Sequence, residues 1–257
     1  MPDTANRSYP SLAAVNIRSV EASRPFAWLQ RGWSDIRRAP LESLGYGLVF
    51  GAAGAAILSI GWGAAHLLPV FATGFVLVAP FLATVLYALS QQMERGDEVS
   101  TVEAFFAWRA NTGQIALFAL LLVLAFIVWE RVAAIVFALS FGGAVPDLRS
   151  LFSPAVFSPE YMELLLAYFG VGGLIAIVVF VCSVVSLPFM LDREVDIITA
   201  VVTSMRCCAR NPGAMIVWAA IIAALSVLGI ATLMIGMVVI FPLLGHATWH
   251  AYRDLVE

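Results

Sequence analysis

"PGAMIVWAAIIAALSVLGIATLMIGMVVIFPLLGHATWHAYRD", residues 212–254, carries no Asp, Glu, Lys or Arg between Pro212 and Tyr252. Read as one helix it would be about 60 Å long by the helical rise per residue. A bilayer's hydrocarbon layer is only about 30 Å thick. Read as two spans near 212–229 and 232–252, turning near Gly229 to Thr232, the stretch fits twice. The positions of arginine decide between the readings, because basic residues collect on the cytoplasmic side. With six spans and the N terminus inside, that side holds Arg7, Arg18, Arg24, Arg31, Arg37, Arg38, Arg95, Arg109, Arg193, Arg206, Arg210 and Arg253. Arg149 is left outside and Arg131 lies within a span. Five spans would put Arg253 outside, so the pattern favours six.

The other four spans lie near 43–63, 67–90, 113–139 and 162–189. Composition agrees: of 257 residues, 61% are hydrophobic and 12% charged, and mean hydropathy is +0.93. A soluble domain is about a quarter charged, so lipid must solvate part of this surface. The expected fold class is an all-α polytopic bundle of six transmembrane helices with short interfacial helices. Residues 1–24 read as a polar cytoplasmic tail and 25–257 as one transmembrane domain. Residues 1–40 lack an apolar signal-peptide core, so the first span is expected to act as an uncleaved anchor. The setting this implies is the inner membrane of a bacterium, with both termini cytoplasmic.

Three segments share an order of amphipathic helix, Arg, small breaker and span: "FAWLQRGWSDIRRAPLESLGYG", "VEAFFAWRANTGQIALFA" and "ITAVVTSMRCCARNPGAMIVWA". Phe26, Leu29, Trp33 and Ile36 follow helical spacing, as do Ile198, Val201, Val202 and Met205. Ser100 and Glu103 have capping-box spacing. The even-numbered spans each carry a proline toward their cytoplasmic ends: Pro80, Pro188 and Pro242. Three units of interfacial helix plus hairpin follow, at about 25–95, 98–192 and 195–253.

These motifs resemble a proteobacterial family of predicted integral membrane proteins, the domain-of-unknown-function 2189 family. The resemblance rests on "FAWLQRGWSDIRRAP", "LVAPFLATVLYALSQQMERG", "SLPFMLDREVDIITAVVTSMR" with "ARNPG" after it, and "FPLLGHATWHAYRDL". It runs from about residue 25 to the C terminus and implies a multi-span inner-membrane protein with no assigned catalytic residues.

Few residues offer chemistry. All 14 basic residues are Arg, which excludes a P-loop lysine, a Schiff-base lysine and a Ser–Lys nucleophile. A net charge of -3 argues against nucleic acid as a partner. His246 and His250, at i and i+4, share a helix face and can present two imidazoles to a metal or haem. The competing reading places them with Trp249 and Tyr252 in an interfacial aromatic belt. His66 falls in an outer turn and cannot join them. Glu130 and Arg131 interrupt the third span, where charge is costly and marks pairing or transport. Being adjacent on a helix, they are expected to pair elsewhere.

Asp192, Arg193, Glu194 and Asp196 read as a solvated turn and helix cap rather than a cation site. Cys182 falls in an apolar run, and Cys207 and Cys208 diverge by about 100° on a helix, poor geometry for chelation. The glycines of "GVGG" and "GYGLVFG" precede no βαβ unit and read as packing residues. Gly47, Gly51, Ala55, Ser59 and Gly63 recur every four residues, a small-residue stripe for close packing against the second span or another subunit. No motif of a hydrolase, metalloprotease or nucleotide site occurs.

The reading is therefore a non-enzymatic scaffold, assembly factor or accessory subunit in the lipid bilayer. A membrane-protein partner or a homo-oligomer is expected, and no cofactor. A small solute or ion transporter or channel is the first alternative. A haem- or metal-binding redox protein using His246 and His250 is the second.

Overall fold

The computed structural model describes residues 15–63, 75, 79–141 and 159–257. The described residues are α-helical but for short connections and one isolated bridge. In chain order the helices are α1 (Arg24–Arg38), α2 (Pro40–Gly63), α3 (Thr84–Arg95) and α4 (Thr101–Phe106). A 3-10 turn over Ala107–Asn111 leads into α5 (Thr112–Phe141). Then come α6 (Pro159–Ser183), α7 (Ser186–Asp192), α8 (Ile197–Arg210), α9 (Pro212–Ala231) and α10 (Met237–Leu255).

Four described segments are long and apolar enough to cross a membrane: Pro40–Ser59, Thr101–Val136, Gly170–Asp192 and Pro212–Ala231. Their outer faces stay exposed, with Leu120, Leu124, Leu174, Ile177, Ile216 and Val227 all on the surface. Lipid is the solvent such faces require. The first part of the second span expected at 67–90, residues 67–74 and 76–78, lies outside the described residues, as do His66 and Arg149. The expected sixth span is α10, which carries Pro242, two histidines, Arg253 and Asp254 and is not apolar enough to count among the four.

The turn before α10 falls later than the sequence suggested. It occupies 232–236, with Leu233 and Met234 in left-handed backbone at φ 54° and 70°. Such backbone is costly for a side chain. Thr232 supports the turn, its Oγ1 accepting from Gly236 N at 2.9 Å and donating to Gly229 O at 2.9 Å.

Proline explains the break between α6 and α7. Pro188 has no N–H to give the carbonyl four residues back, and its ring crowds that carbonyl. The helix opens at Val184 and Val185, and Ser204 of α8 fills the gap. Its Oγ donates to Val181 O at 2.7 Å and accepts from Val185 N at 3.3 Å. Pro242 likewise leaves Val238 O without a helical donor. That carbonyl faces Gly47 of α2, where an added Cβ would overlap it.

α10 is the centre of the fold. It packs against α1, α2, α3 and α9, and His246, Ala247, Trp249, Ala251 and Tyr252 are all buried. The aromatic belt expected around Trp249 and Tyr252 is therefore replaced by core packing, because α1 lies across this helix and covers it. The short helices pack in a common way, α4 on α3, α8 on α7 and α1 on α10. The first two pairs are joined by covalent loops. The third is joined through the chain ends, where Ile17 bridges Val256 and Arg18 N donates to Leu255 O at 2.9 Å. Val15 and Ile17 are buried there, so this part of the expected polar tail is packed.

The stripe on α2 also turns out differently. Gly47 and Gly51 are buried, but Ala55 and Ser59 are exposed, and Ser59 Oγ donates to Ala56 O of its own helix at 2.6 Å. Steps of four residues advance about 400°, so a strict four-residue stripe drifts about 40° per step off any fixed face. The buried set follows the helix period instead: Ser43, Gly47, Phe50, Gly51 and Gly54. It faces α10, with Met234 O 3.0 Å from a Cβ built at Gly51. Gly63 ends α2 beside residues outside the described set.

Candidate functional site

α10, α1, α2 and α3 bring five polar side chains into one buried cluster. Asp35 is a polar residue on the inward face of α1, after Trp28 and Gly32. His246 and His250 come from α10, Ser43 from α2 and Ser90 from α3. His246 and Ser43 are fully buried, and Asp35 is 4% exposed. Ser90 Oγ lies 2.8 Å from Asp35 Oδ2 and 2.7 Å from His246 Nδ1. Ser43 Oγ lies 3.0 Å from His246 Nε2, and His250 Nε2 lies 2.8 Å from Asp35 Oδ2.

The protonation of Asp35 sets the direction of this chain. An ionised Asp35 only accepts, so Ser90 donates to it. Ser90 Oγ must then accept from His246 Nδ1–H, and His246 Nε2 accepts from Ser43. Both serine hydroxyls and both ring nitrogens of His246 are thus partnered, as a buried network requires. The two histidines thus converge on Asp35, and each ring nitrogen of His246 is held by a serine. Among the described residues, no group of three or more His, Cys, Asp and Glu is placed to hold a metal ion.

A second polar layer lies toward the C terminus of α10. Tyr252 Oη donates to Asp192 Oδ2 at 2.6 Å and Gln91 Nε2 to Asp192 Oδ1 at 2.7 Å. Arg95, Arg193 and Arg253 also pair with Asp192. Trp249 Nε1 and Arg253 Nε donate to Glu94 at 2.9 and 3.0 Å. Asp254 accepts from Arg24 Nε at 2.6 Å, Trp28 Nε1 at 2.7 Å and Arg31 Nη1 at 3.2 Å. Asp196 caps α8 by accepting from Thr199 N and Oγ1. In the 192–196 cluster, Asp192 is thus an internal anchor and Asp196 the expected cap.

The remaining flagged residues stand apart from these layers. Glu130 and Arg131 pair with each other, Arg131 Nε donating to Glu130 Oε2 at 2.9 Å. The long side chains fold back along the helix surface, which spacing on the backbone alone does not anticipate. Arg131 is 71% exposed. Burial pushes the Cys207 thiol up to about 12 and the Cys208 thiol up to about 11, which removes the thiolate that a metal ligand needs. Cys182 is half-buried. An apolar cavity of about 790 Å³ opens between the long helices, lined by Phe50, Phe75, Trp129, Val179, Ile222 and Met237 among others.

Burial acts to raise the Asp254 carboxyl, but hydrogen bonds from Arg24 and Trp28 and the charges of Arg31 and Arg24 hold it below its usual range. A depressed carboxylate contributes stability that is present above its unfolded value, about 3.9. That stability is lost as pH falls through the folded value. Thermal melts of the wild type should therefore fall more steeply below about pH 4 than those of Asp254→Asn. Parallel curves would mean that Asp254 does not clamp α1.

Sequence reasoning flagged the two histidines but missed Asp35, Ser43, Ser90, Glu94 and Asp254. One signal was present: Trp28, Gly32 and Asp35 lie on one helical face, and so do Ser90 and Glu94. A carboxylate in line with a buried tryptophan needs a partner.

Long apolar helices with exposed lipid-facing sides, and polar groups gathered where short helices cross them, define an α-helical integral membrane protein with several spans. Residues 67–192 match the family described as predicted integral membrane protein, domain of unknown function 2189, so the family resemblance holds for that segment. It includes the motif around Pro80 and the first seven residues, "SLPFMLD", of the one around Pro188, whereas the rest of that motif, "FAWLQRGWSDIRRAP" and "FPLLGHATWHAYRDL" lie outside it. No curated protein and no solved structure matches the chain.

Proposed function

We propose that the protein is a non-enzymatic scaffold, assembly factor or accessory subunit of a bacterial inner-membrane complex. Its six spans form three helix-hairpin units closed into a ring by α1 on α10. The observation that carries this reading is the use of the polar side chains. Asp35, His246, His250, Asp192, Glu94 and Asp254 are spent on tying α1, α2, α3, α7 and α10 together. The large exposed surfaces are apolar. The pairing of Ile17 with Val256 joins the segment just before α1 to the end of α10, which supports an even number of crossings. Reporter fusions after Arg38, near Pro154 and at Glu257 should read inside, outside, inside; an outside C terminus would restore five spans. Extraction in mild detergent should enrich a membrane partner or a homo-oligomer. Isolation as a bare monomer, with nothing enriched, would count against the scaffold.

A proton-coupled transporter is the second reading, favoured by the reversibility of the buried chain. If Asp35 gains a proton, it donates to Ser90, Ser90 to His246 Nδ1, and His246 Nε2–H to Ser43, so the same contacts hold in both directions. Proton-driven solute uptake into proteoliposomes, lost in Asp35→Asn, would establish this reading. Uptake unchanged in Glu130→Gln would remove Glu130 from its mechanism. A metal or haem site at His246 and His250 has less support, since serine hydroxyls hold both nitrogens of His246. A visible absorption spectrum and metal analysis of the purified protein test it.

A further inference from the structure

Ten of the arginines among the described residues fall into two sets. Arg24 and Arg31 pair with Asp254, Arg18 with Glu257, and Arg95, Arg193 and Arg253 with Asp192 or Glu94. Arg37, Arg38, Arg109 and Arg210 are exposed and have no carboxylate partner among the described residues. Their positions are shared: each lies in the last residues before a long helix, Arg37 and Arg38 before α2, Arg109 before α5 and Arg210 before α9. Two of them lie over aromatic rings, with the Arg37 guanidinium 5.6 Å from the Trp33 ring centre and that of Arg109 4.0 Å from Phe106.

The same short helices turn large apolar side chains outward. Phe26 and Trp33 of α1, Phe105 and Phe106 of α4, and Ile198 and Met205 of α8 are all exposed. Their inward faces are distinct from these: Trp28, Gly32, Asp35 and Ile36 on α1, Ala104 on α4, and Thr199, Ala200, Thr203, Ser204, Cys207 and Cys208 on α8. An outward apolar face that carries arginine is the pattern of a helix lying at headgroup depth, ring in the acyl boundary and cation at the phosphates.

We propose that Arg37, Arg38, Arg109 and Arg210 form a collar that binds the phosphates of anionic phospholipids. Charge complementarity names the ligand: four unpaired guanidiniums beside the start of three long helices need anions there, and guanidinium matches phosphate bidentately. A soluble polyanion would leave Phe26, Trp33, Phe105, Ile198 and their neighbours in water. A lipid covers both.

The test uses the full chain, delipidated in a neutral detergent and titrated with short-chain phosphatidylglycerol while the thermal midpoint is followed. Phosphatidylglycerol should raise the midpoint more than phosphatidylcholine, with a shift that shrinks as salt rises. The half-saturating concentration should rise about fivefold for each arginine changed to glutamine, from about 1 kcal/mol per cationic side chain at an anionic surface. The quadruple Arg→Gln variant should keep the lipid-free midpoint, because these arginines make no ion pair among the described residues. If it does not fold, the single variants Arg38→Gln and Arg109→Gln are titrated instead. An equal response of wild type and variants overturns the collar, as does an equal response to the two lipids. A matching shift with inorganic phosphate or with a short RNA would overturn the lipid as ligand.

Discussion

Replacing Gly47 by leucine should lower the thermal midpoint of the detergent-solubilised protein far more than replacing Gly45 by leucine. The two positions lie two residues apart on α2 and differ in what they face. A Cβ at Gly47 would overlap the Val238 carbonyl and lie 3.0 Å from Pro242 Cδ, whereas one at Gly45 meets nothing within 4 Å. Pro242 fixes the backbone that carries the Val238 carbonyl, so α10 has little freedom to yield. Overpacking a close contact costs about 1–3 kcal/mol and sometimes more. A backbone obstacle puts Gly47→Leu at about 3 kcal/mol or above, and the open site puts Gly45→Leu within about 0.5 kcal/mol of the parent. Gly51→Leu should fall between them, since its nearest neighbour is Met234 O at 3.0 Å. Equal midpoints for Gly47→Leu and Gly45→Leu would mean that α2 does not seat on α10.

The second large effect belongs to the buried cluster. Asp35→Ala and His246→Ala should each cost about 3–5 kcal/mol, the usual result of removing one member of a buried charged network and stranding the rest. Their effects should not add. Once Asp35 is gone, Ser90 and His246 have already lost their anchor, so the second substitution removes less, and the double variant should fall well short of the sum. Denaturant titration of the parent, both single variants and the double variant gives the coupling directly. Additive losses would show that Asp35 and His246 act independently and that Ser90 does not bridge them.

The cluster shows why a sequence reveals some residues of a site and hides others. His246 and His250 are visible because they are rare and occur at a helical repeat. Asp35, Ser43 and Ser90 are common residue types scattered over more than fifty positions, and nothing local to any of them announces a partner on α10. The arginine collar was half visible: the positive bias toward one side could be counted, but which guanidiniums are spent on Asp254, Asp192 and Glu94 could not. Glu130 and Arg131 illustrate the opposite error, because backbone spacing forbids a facing pair while long side chains reach each other.

By itself the sequence determined that this is a helical membrane protein, that Pro188 and Pro242 each remove a helical hydrogen bond, and that short amphipathic helices precede the spans. These properties follow from local composition and from the 3.6-residue period, which act within a few turns. Only the tertiary structure decided that α10 lies at the centre, that α1 closes onto it through Asp254 and the Ile17–Val256 pairing, and that the small-residue face of α2 meets this helix. Hydropathy is nearly uniform around α2, α5, α6 and α9, because lipid and protein interior are equally apolar. No pattern in such helices tells which side meets a neighbour. That choice rests on shape, as at Gly47 against Val238, and on the few buried polar groups that must find one another.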